Sequence, residues 1–276
     1  MKTSVSFFTF GQGANIPEAC REVRRAGYDG VELVLTEEGP FSLQTGEAEI
    51  RSVRRMVEDM GLSVSGVGAW PLWTYNLAAD DSSRAKDVVK KAVDAAQALG
   101  TDAVLVVPGW VGTDFAEGVV RYDRAYENAQ RALGELAPYA QAAGVCLAVE
   151  NVWNKFLLSP LEMRRFLDEI GSEYVGAYFD VGNIIYIGYP EQWIEILGGR
   201  IRRLHFCDCR GECAGLSMFV DLFEGDVDFH KVMRAARKIG YDSWATVEFL
   251  PNYRRFPYQS IINARLSLER ILNIPE

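Results

Sequence analysis

Residues 145–180, VCLAVENVWNKFLLSPLEMRRFLDEIGSEYVGAYFD, read as strand, helix, strand. Val145–Glu150 is almost wholly apolar, the pattern of a parallel strand buried on both faces. Ser159-Pro160 before Leu161-Glu-Met reads as a helix start with proline at the first helical position. Val175–Asp180 is a second strand of the same kind. Working outward from this unit, six further strands are predicted: Ser4–Phe10, Gly30–Leu35, Ser63–Ala69, Ala103–Val107, Ile201–Phe206 and Trp244–Phe249.

Between these strands, apolar residues recur three and four apart, as helices require: Ile50, Val53, Val57 and Met60; Val89, Val93, Ala96 and Leu99; Leu133, Leu136, Ala137 and Ala140; Val232, Ala235 and Ile239. Gly27, Gly61, Gly100, Gly144 and Gly240 are placed to end helices before the next strand. Eight βα units in 276 residues, about 34 each, match the size of a (β/α)8 barrel. An open doubly wound sheet is the rival. It expects a glycine-rich phosphate loop after the first strand, but Gly11-Gln-Gly13-Ala-Asn-Ile16 lacks the third glycine and the chain has no Gly-Lys-Ser/Thr loop. The reading is an α/β protein, one (β/α)8 TIM barrel over residues 1–276.

Twenty-nine basic and 38 acidic residues leave a net charge of −9, against a nucleic-acid partner. Apolar residues at 49% and charged residues at 24% describe an ordinary globular chain rather than a disordered one. There is no apolar run of about 20 residues that would span a bilayer. Met1–Phe10 lacks the features of an export signal, so a cytoplasmic location is expected. Cys20, Cys146, Cys207, Cys209 and Cys213 then read as reduced thiols.

In a barrel, chemistry sits at the C-terminal ends of the strands. Four consecutive strands in the second half carry Glu150, Asp180, His205 and Glu248 at, or one residue before, their C-terminal ends. Burying three carboxylates together costs free energy through mutual repulsion and lost hydration. A divalent cation among them removes that cost, and three carboxylates with one imidazole suit Mn2+, Mg2+ or Co2+. Helix caps or rim salt bridges are the alternative use of such acids.

Glu150-Asn-Val-Trp-Asn-Lys-Phe-Leu-Leu-Ser-Pro160, Phe179-Asp-Val-Gly-Asn183, His205-Phe-Cys-Asp208 and Val247-Glu248 resemble the xylose isomerase-like sugar (phosphate) isomerase/epimerase family. The nearest likeness is to its ketose 3-epimerases, of the tagatose/allulose and L-ribulose-5-phosphate types. Gly27-Tyr-Asp-Gly-Val-Glu32 and Leu99-Gly-Thr-Asp-Ala-Val-Leu-Val-Val-Pro108 resemble its second and fourth strands. The likeness runs along essentially the whole chain. It implies that Glu150, Asp180, His205 and Glu248 ligate a divalent metal, Mn2+ ahead of Mg2+, Co2+ or Zn2+. It also implies that Glu150 and Glu248 are the acid/base pair of a proton transfer through an enediolate, with no nucleotide or redox cofactor. A dehydratase or β-eliminating lyase on a keto-sugar or inosose would begin with the same proton abstraction, and a non-catalytic sugar-binding barrel is the remaining alternative. Homodimers or homotetramers are expected from the same likeness.

The chain departs from the family pattern at three places. Asn183 replaces a histidine, Phe156 a glutamate, and Gly211 an arginine that here stands one residue earlier as Arg210. These changes favour the sugar-phosphate branch. The absence of a second rim histidine leaves the multi-zinc cluster of the repair endonucleases incomplete. Expected substrate contacts are Asn183, Asp208, Lys155, Arg210 and Trp110. Lys155, Arg210 and Arg254-Arg255 are cations suited to a phosphate, and Trp70, Trp73, Trp110 and Trp153 are aromatics suited to a sugar ring or to rim packing. Asp208 could alternatively orient the second nitrogen of His205. A zinc site from His205, Cys207, Cys209 and Cys213 has spacings too tight for the usual structural pattern. Asp228 is a helix-cap candidate and His230 a surface residue.

Overall fold

The computed structural model describes residues 1–114, 116–212, 215–248, 253 and 255–275. In chain order its strands are β1 (Lys2–Ser6), β2 (Gly30–Leu35), β3 (Ser63–Ala69), β4 (Ala103–Val106), β5 (Cys146–Glu150), β6 (Val175–Asp180), β7 (Ile201–Phe206), β8 (Asp208–Cys209), β9 (Phe219–Val220) and β10 (Trp244–Val247). Eight of them close a barrel in the ring order β1-β10-β7-β6-β5-β4-β3-β2, every neighbouring pair parallel. The helices are α1 (Ile16–Ala26), α2 (Glu47–Asp59), α3 (Ser83–Leu99), α4 (Tyr122–Ala143), α5 (Pro160–Ile170), α6 (Pro190–Leu197), α7 (Phe229–Lys238) and α8 (Gln259–Leu272). The (β/α)8 reading therefore holds, and the doubly wound sheet is excluded.

Local signals act as their chemistry requires. Ser159 caps α5 by accepting the Glu162 amide at 3.2 Å, with Pro160 first in the helix. Asp228 caps α7 through the Lys231 amide at 3.1 Å, and His230 is exposed on that helix. Gly27, Gly100 and Gly144 end α1, α3 and α4 in the left-handed conformation that an L side chain resists.

Four strands differ in their bounds from the sequence reading: β4 ends at Val106 rather than Val107, β5 starts at Cys146 rather than Val145, and β1 and β10 differ more. β1 stops at Ser6 rather than Phe10, because the Ser6 hydroxyl accepts the Phe8 amide and starts a 3-10 turn over Phe7–Phe10, which buries Phe7 and Phe8. The last barrel strand ends at Val247, and Phe249 lies outside the described residues. Between β7 and α7 the chain also forms an antiparallel pair, β8 with β9, which has no counterpart in the sequence reading.

The apolar core fills the space between strands and helices, with Leu33, Leu35, Val89, Leu105, Leu133 and Phe166 fully enclosed. The barrel lumen is different. In the ring order, β2 stands opposite β6 and β3 opposite β7, so a contact between opposite strands must cross the interior. Two such contacts are polar: the Tyr178 hydroxyl donates to Glu32, and Arg203 Nε donates to the Ser65 carbonyl at 2.9 Å. Barrel interiors are more often filled with branched aliphatic side chains. Arg203, 5% exposed, also donates to the Arg202 carbonyl at 2.9 Å, the Ser243 hydroxyl at 3.1 Å and the Asp102 carboxylate, plugging one level of the lumen.

Arg203→Met keeps most of the stem but takes this donor from the buried Ser65 carbonyl. It is expected to lower the unfolding free energy in urea by about 1–3 kcal/mol. Asp102→Asn, at a carboxylate 76% exposed, should cost less than about 1 kcal/mol. Equal losses would refute the role given to the carbonyl.

Candidate metal centre and active site

Four neighbouring strands deliver four donors to one end of the lumen. Glu150 ends β5, Asp180 ends β6, His205 is the penultimate residue of β7, and Glu248 directly follows β10. Asp180 and Thr246 flank His205 in register. All four side chains are buried, and one ligand atom from each lies within 4.8 Å of the others. His205 Nδ1 is 3.0 Å from Glu150 Oε1, 3.3 Å from Glu248 Oε2 and 3.9 Å from Asp180 Oδ2.

Enclosure sets the charge states. Burial, then the Glu248 charge, raises Glu150 well above its ordinary value. Burial pushes Glu248 up to about 7 against the pull of His205. Asp180 is also raised by burial, opposed by His205 and by the amides of Asn183 and Gly182. Burial alone would depress His205, but Glu248 and the other acids around it hold it well above its usual range. Three enclosed carboxylates facing one imidazole are short of positive charge, and oxygen donors with one nitrogen suit a hard or borderline divalent cation. The residues fit such an ion.

The donors are themselves held. Asp180 Oδ1 accepts the amides of Gly182 at 2.8 Å and Asn183 at 2.7 Å, and the Cys207 thiol donates to it at 3.1 Å. Asn151, next to Glu150, clamps the Asp180 backbone, accepting its N–H at 2.9 Å and donating to its carbonyl at 2.8 Å. Ser6 Oγ donates to Glu248 at 3.3 Å. A Cβ at Gly182 would collide with the Cys207 sulfur, so this turn needs glycine.

Glu32 is the residue the sequence reading passed over. It lies wholly buried on β2, with Oε1 3.0 Å from His205 Nε2 and its other oxygen accepting the Tyr178 hydroxyl. Burial would raise its pKa, but His205 and these hydrogen bonds hold it below the ordinary value. An acid inside the apolar run Gly30-Val-Glu-Leu-Val-Leu35 was the available signal.

The expected substrate contacts are distributed differently. The Asn183 amide donates to the Asn151 carbonyl at 3.1 Å, bracing the turns after β5 and β6. Asp208 is buried with its carboxylate accepting four backbone amides: Cys209 and Phe223 at 2.9 Å, Gly225 at 3.0 Å and Val227 at 3.1 Å. It does not orient His205, whose nitrogens face Glu150 and Glu32. Trp110 is buried, its backbone bridged by Asn76, and it lines a cleft of about 410 Å3 with Tyr75 and Arg84. Trp153 stacks on Phe219 with centroids 5.0 Å apart and donates to the Asn183 carbonyl at 3.3 Å. Arg210 is exposed and turned to Glu224, and Lys155 is exposed with no ion pair among the described residues. Phe156 packs into the core against Tyr122 and Phe166. Of the close-spaced zinc reading, Cys207 touches Asp180 instead, and Cys213, like Arg254, lies outside the described residues.

Residues 20–264 match the xylose isomerase-like TIM barrel family, and the chain belongs to it. It is 25% identical over 282 residues to the fructoselysine 3-epimerase of Shigella flexneri, covering 98% of this chain and 96% of the relative. It is 24% identical over 170 residues to an inosose dehydratase of Lacticaseibacillus casei, covering 56% of this chain and 57% of the relative. Among solved structures, a D-psicose 3-epimerase crystallised in the presence of D-fructose superposes with a TM-score of 0.79 at 16% identity, over 99% of both chains. The chain is an enzyme of this family.

Asp208→Asn removes a charge and turns an amide NH2 toward backbone N–H donors. The expected result is a stability loss of about 1–3 kcal/mol and faster amide hydrogen exchange at Phe223, Gly225 and Val227. Unchanged exchange with a raised KM would instead make Asp208 a substrate contact.

Proposed function

We propose that the chain is a divalent-metal-dependent epimerase of a ketose or ketose phosphate, with Mn2+ the preferred ion. The observation that carries this reading is the pair of buried carboxyl groups, Glu150 on β5 and Glu248 after β10, standing on either side of Asp180 and His205 in the ring of strands. Inverting a carbon beside a carbonyl needs one group to take a proton from one face and another to return it on the opposite face. Burial raises both carboxyls, Glu150 well above its ordinary value and Glu248 up to about 7, which suits groups that must hold and exchange protons. Glu150, Asp180, His205 and Glu248 would hold the metal, which when bound supplies Lewis-acid polarisation of the substrate oxygens, worth several kcal/mol.

The chain's own residues do the rest. The ionised carboxyl of the pair takes the proton from carbon, and the protonated one returns a proton to the other face. The Asn151 clamp and the Gly182 and Asn183 amides keep Asp180 fixed while this happens. Lys155, on the rim after β5, is available to an anionic group such as a substrate phosphate. Among the described residues no helix is long and apolar enough to cross a membrane. On this reading the enzyme works in the cytoplasm, on a small sugar.

The test is a panel of ketoses and ketose phosphates in heavy water with Mn2+, read by NMR. Deuterium at one carbon with inverted configuration is expected. A product lighter by one water would mean dehydration instead. Chelation should stop exchange and Mn2+ restore it. Glu248→Gln should lower kcat/KM by about 10²–10⁴-fold with the fold intact, and wild-type turnover in that variant would sink the assignment.

A further inference from the structure

We propose that Glu32 is a positioning residue that fixes His205 with its proton on Nε2, so that Nδ1 is the nitrogen presented to Glu150, Asp180 and Glu248. The inference rests on the metal-centre reading above and goes beyond it, because Glu32 belongs to neither the four-donor cluster nor the proton-transfer pair.

Three contacts define the imidazole. Its Nε2 lies 3.0 Å from Glu32 Oε1, its Nδ1 faces the carboxylates from 3.0 Å outward, and the Tyr178 ring lies over it with centroids 4.3 Å apart. An ionised carboxylate only accepts hydrogen bonds, so Nε2 must be the donor. Rotating the ring by half a turn would put C–H where Nε2–H stands and leave a buried carboxylate oxygen without that partner, at a cost that disfavours the flip.

Glu32 cannot swing away. Its other oxygen is held by the Tyr178 hydroxyl from the opposite strand, and the side chain has no exposed surface. Tyr178 thus serves twice, orienting the acid through its hydroxyl and covering the imidazole with its ring. The anion beside Nε2–H also makes Nδ1 a better donor to a cation, the effect carboxylates exert on metal-bound histidines generally.

The chain has two histidines, His205 and His230, so a 15N-histidine-labelled protein gives a readily assigned spectrum. With Zn2+ as the diamagnetic probe, wild type is expected to keep a slowly exchanging Nε2–H on His205 while the Nδ1 resonance moves. A metal-shifted Nε2 would overturn the proposal without any mutant. Mn2+ titration by calorimetry supplies the second readout: Glu32→Ala should weaken affinity 10–100-fold, and Glu32→Gln, which keeps an acceptor but loses the charge, by less.

Tyr178→Phe should weaken affinity modestly, as Glu32 loses its second anchor. Unchanged Mn2+ affinity in folded Glu32→Ala, judged by circular dichroism, would refute the positioning role while leaving the metal centre intact. A wild type that binds neither Mn2+ nor Zn2+ would instead refute the metal centre and this inference together.

Discussion

Charge enclosed in a closed barrel is the constraint on which the rest of this structure depends. Glu32, Glu150, Asp180 and Glu248 are all buried, with His205 as the basic side chain that touches Glu32, Glu150 and Glu248 directly. A parallel barrel offers these groups little water, and its strands have already used their backbone donors on one another. Each acid must find side-chain partners, the amides of the turn that follows its strand, or a cation. Glu32 takes the first route, Asp180 largely the second. Glu150 and Glu248, pressed against each other's charge, are left in need of the third.

The lumen is consequently built in polar levels. At one, Arg203 spans to Ser65 on the opposite strand. At the next, Tyr178, Glu32 and His205 form a chain of hydrogen bonds across the barrel. Above them the three remaining carboxyl groups open toward the rim. Each level supports the next, because the side chains alternate along the same strands: Arg203 and His205 on β7, Tyr178 and Asp180 on β6. The same geometry that satisfies the inner level therefore aims the donors of the outer one.

The rim is held by similar means. Asn151 ties the turn after β5 to the end of β6, and Asp208 gathers four amides of the segment around β8 and β9. Asp208 and Asn183 occupy positions that look suited to substrate in the sequence, yet the Asp208 carboxylate and the Asn183 side-chain amide are bonded to backbone. Phe156 is likewise turned into the core. Also placed after the β5 end are Trp153, stacked on Phe219, and the exposed Lys155, which has no ion pair among the described residues.

Much of this was legible in the sequence. Buried parallel strands are continuous apolar runs, and a polar residue ending such a run has nowhere to go but the C-terminal rim, so Glu150, Asp180, His205 and Glu248 could be read directly. Gly27, Gly100, Gly144 and the Ser159-Pro160 start marked four helix boundaries, because capping depends only on neighbours a few residues away. Tertiary structure alone decided the rest. Glu32 meets Tyr178 and His205 across 146 and 173 residues of chain, and no local pattern encodes a contact made by closing a ring of strands. The β8–β9 pair and the fate of Asp208 depend in the same way on where a loop folds back, since a carboxylate that will accept four amides looks no different in sequence from one that will greet a substrate.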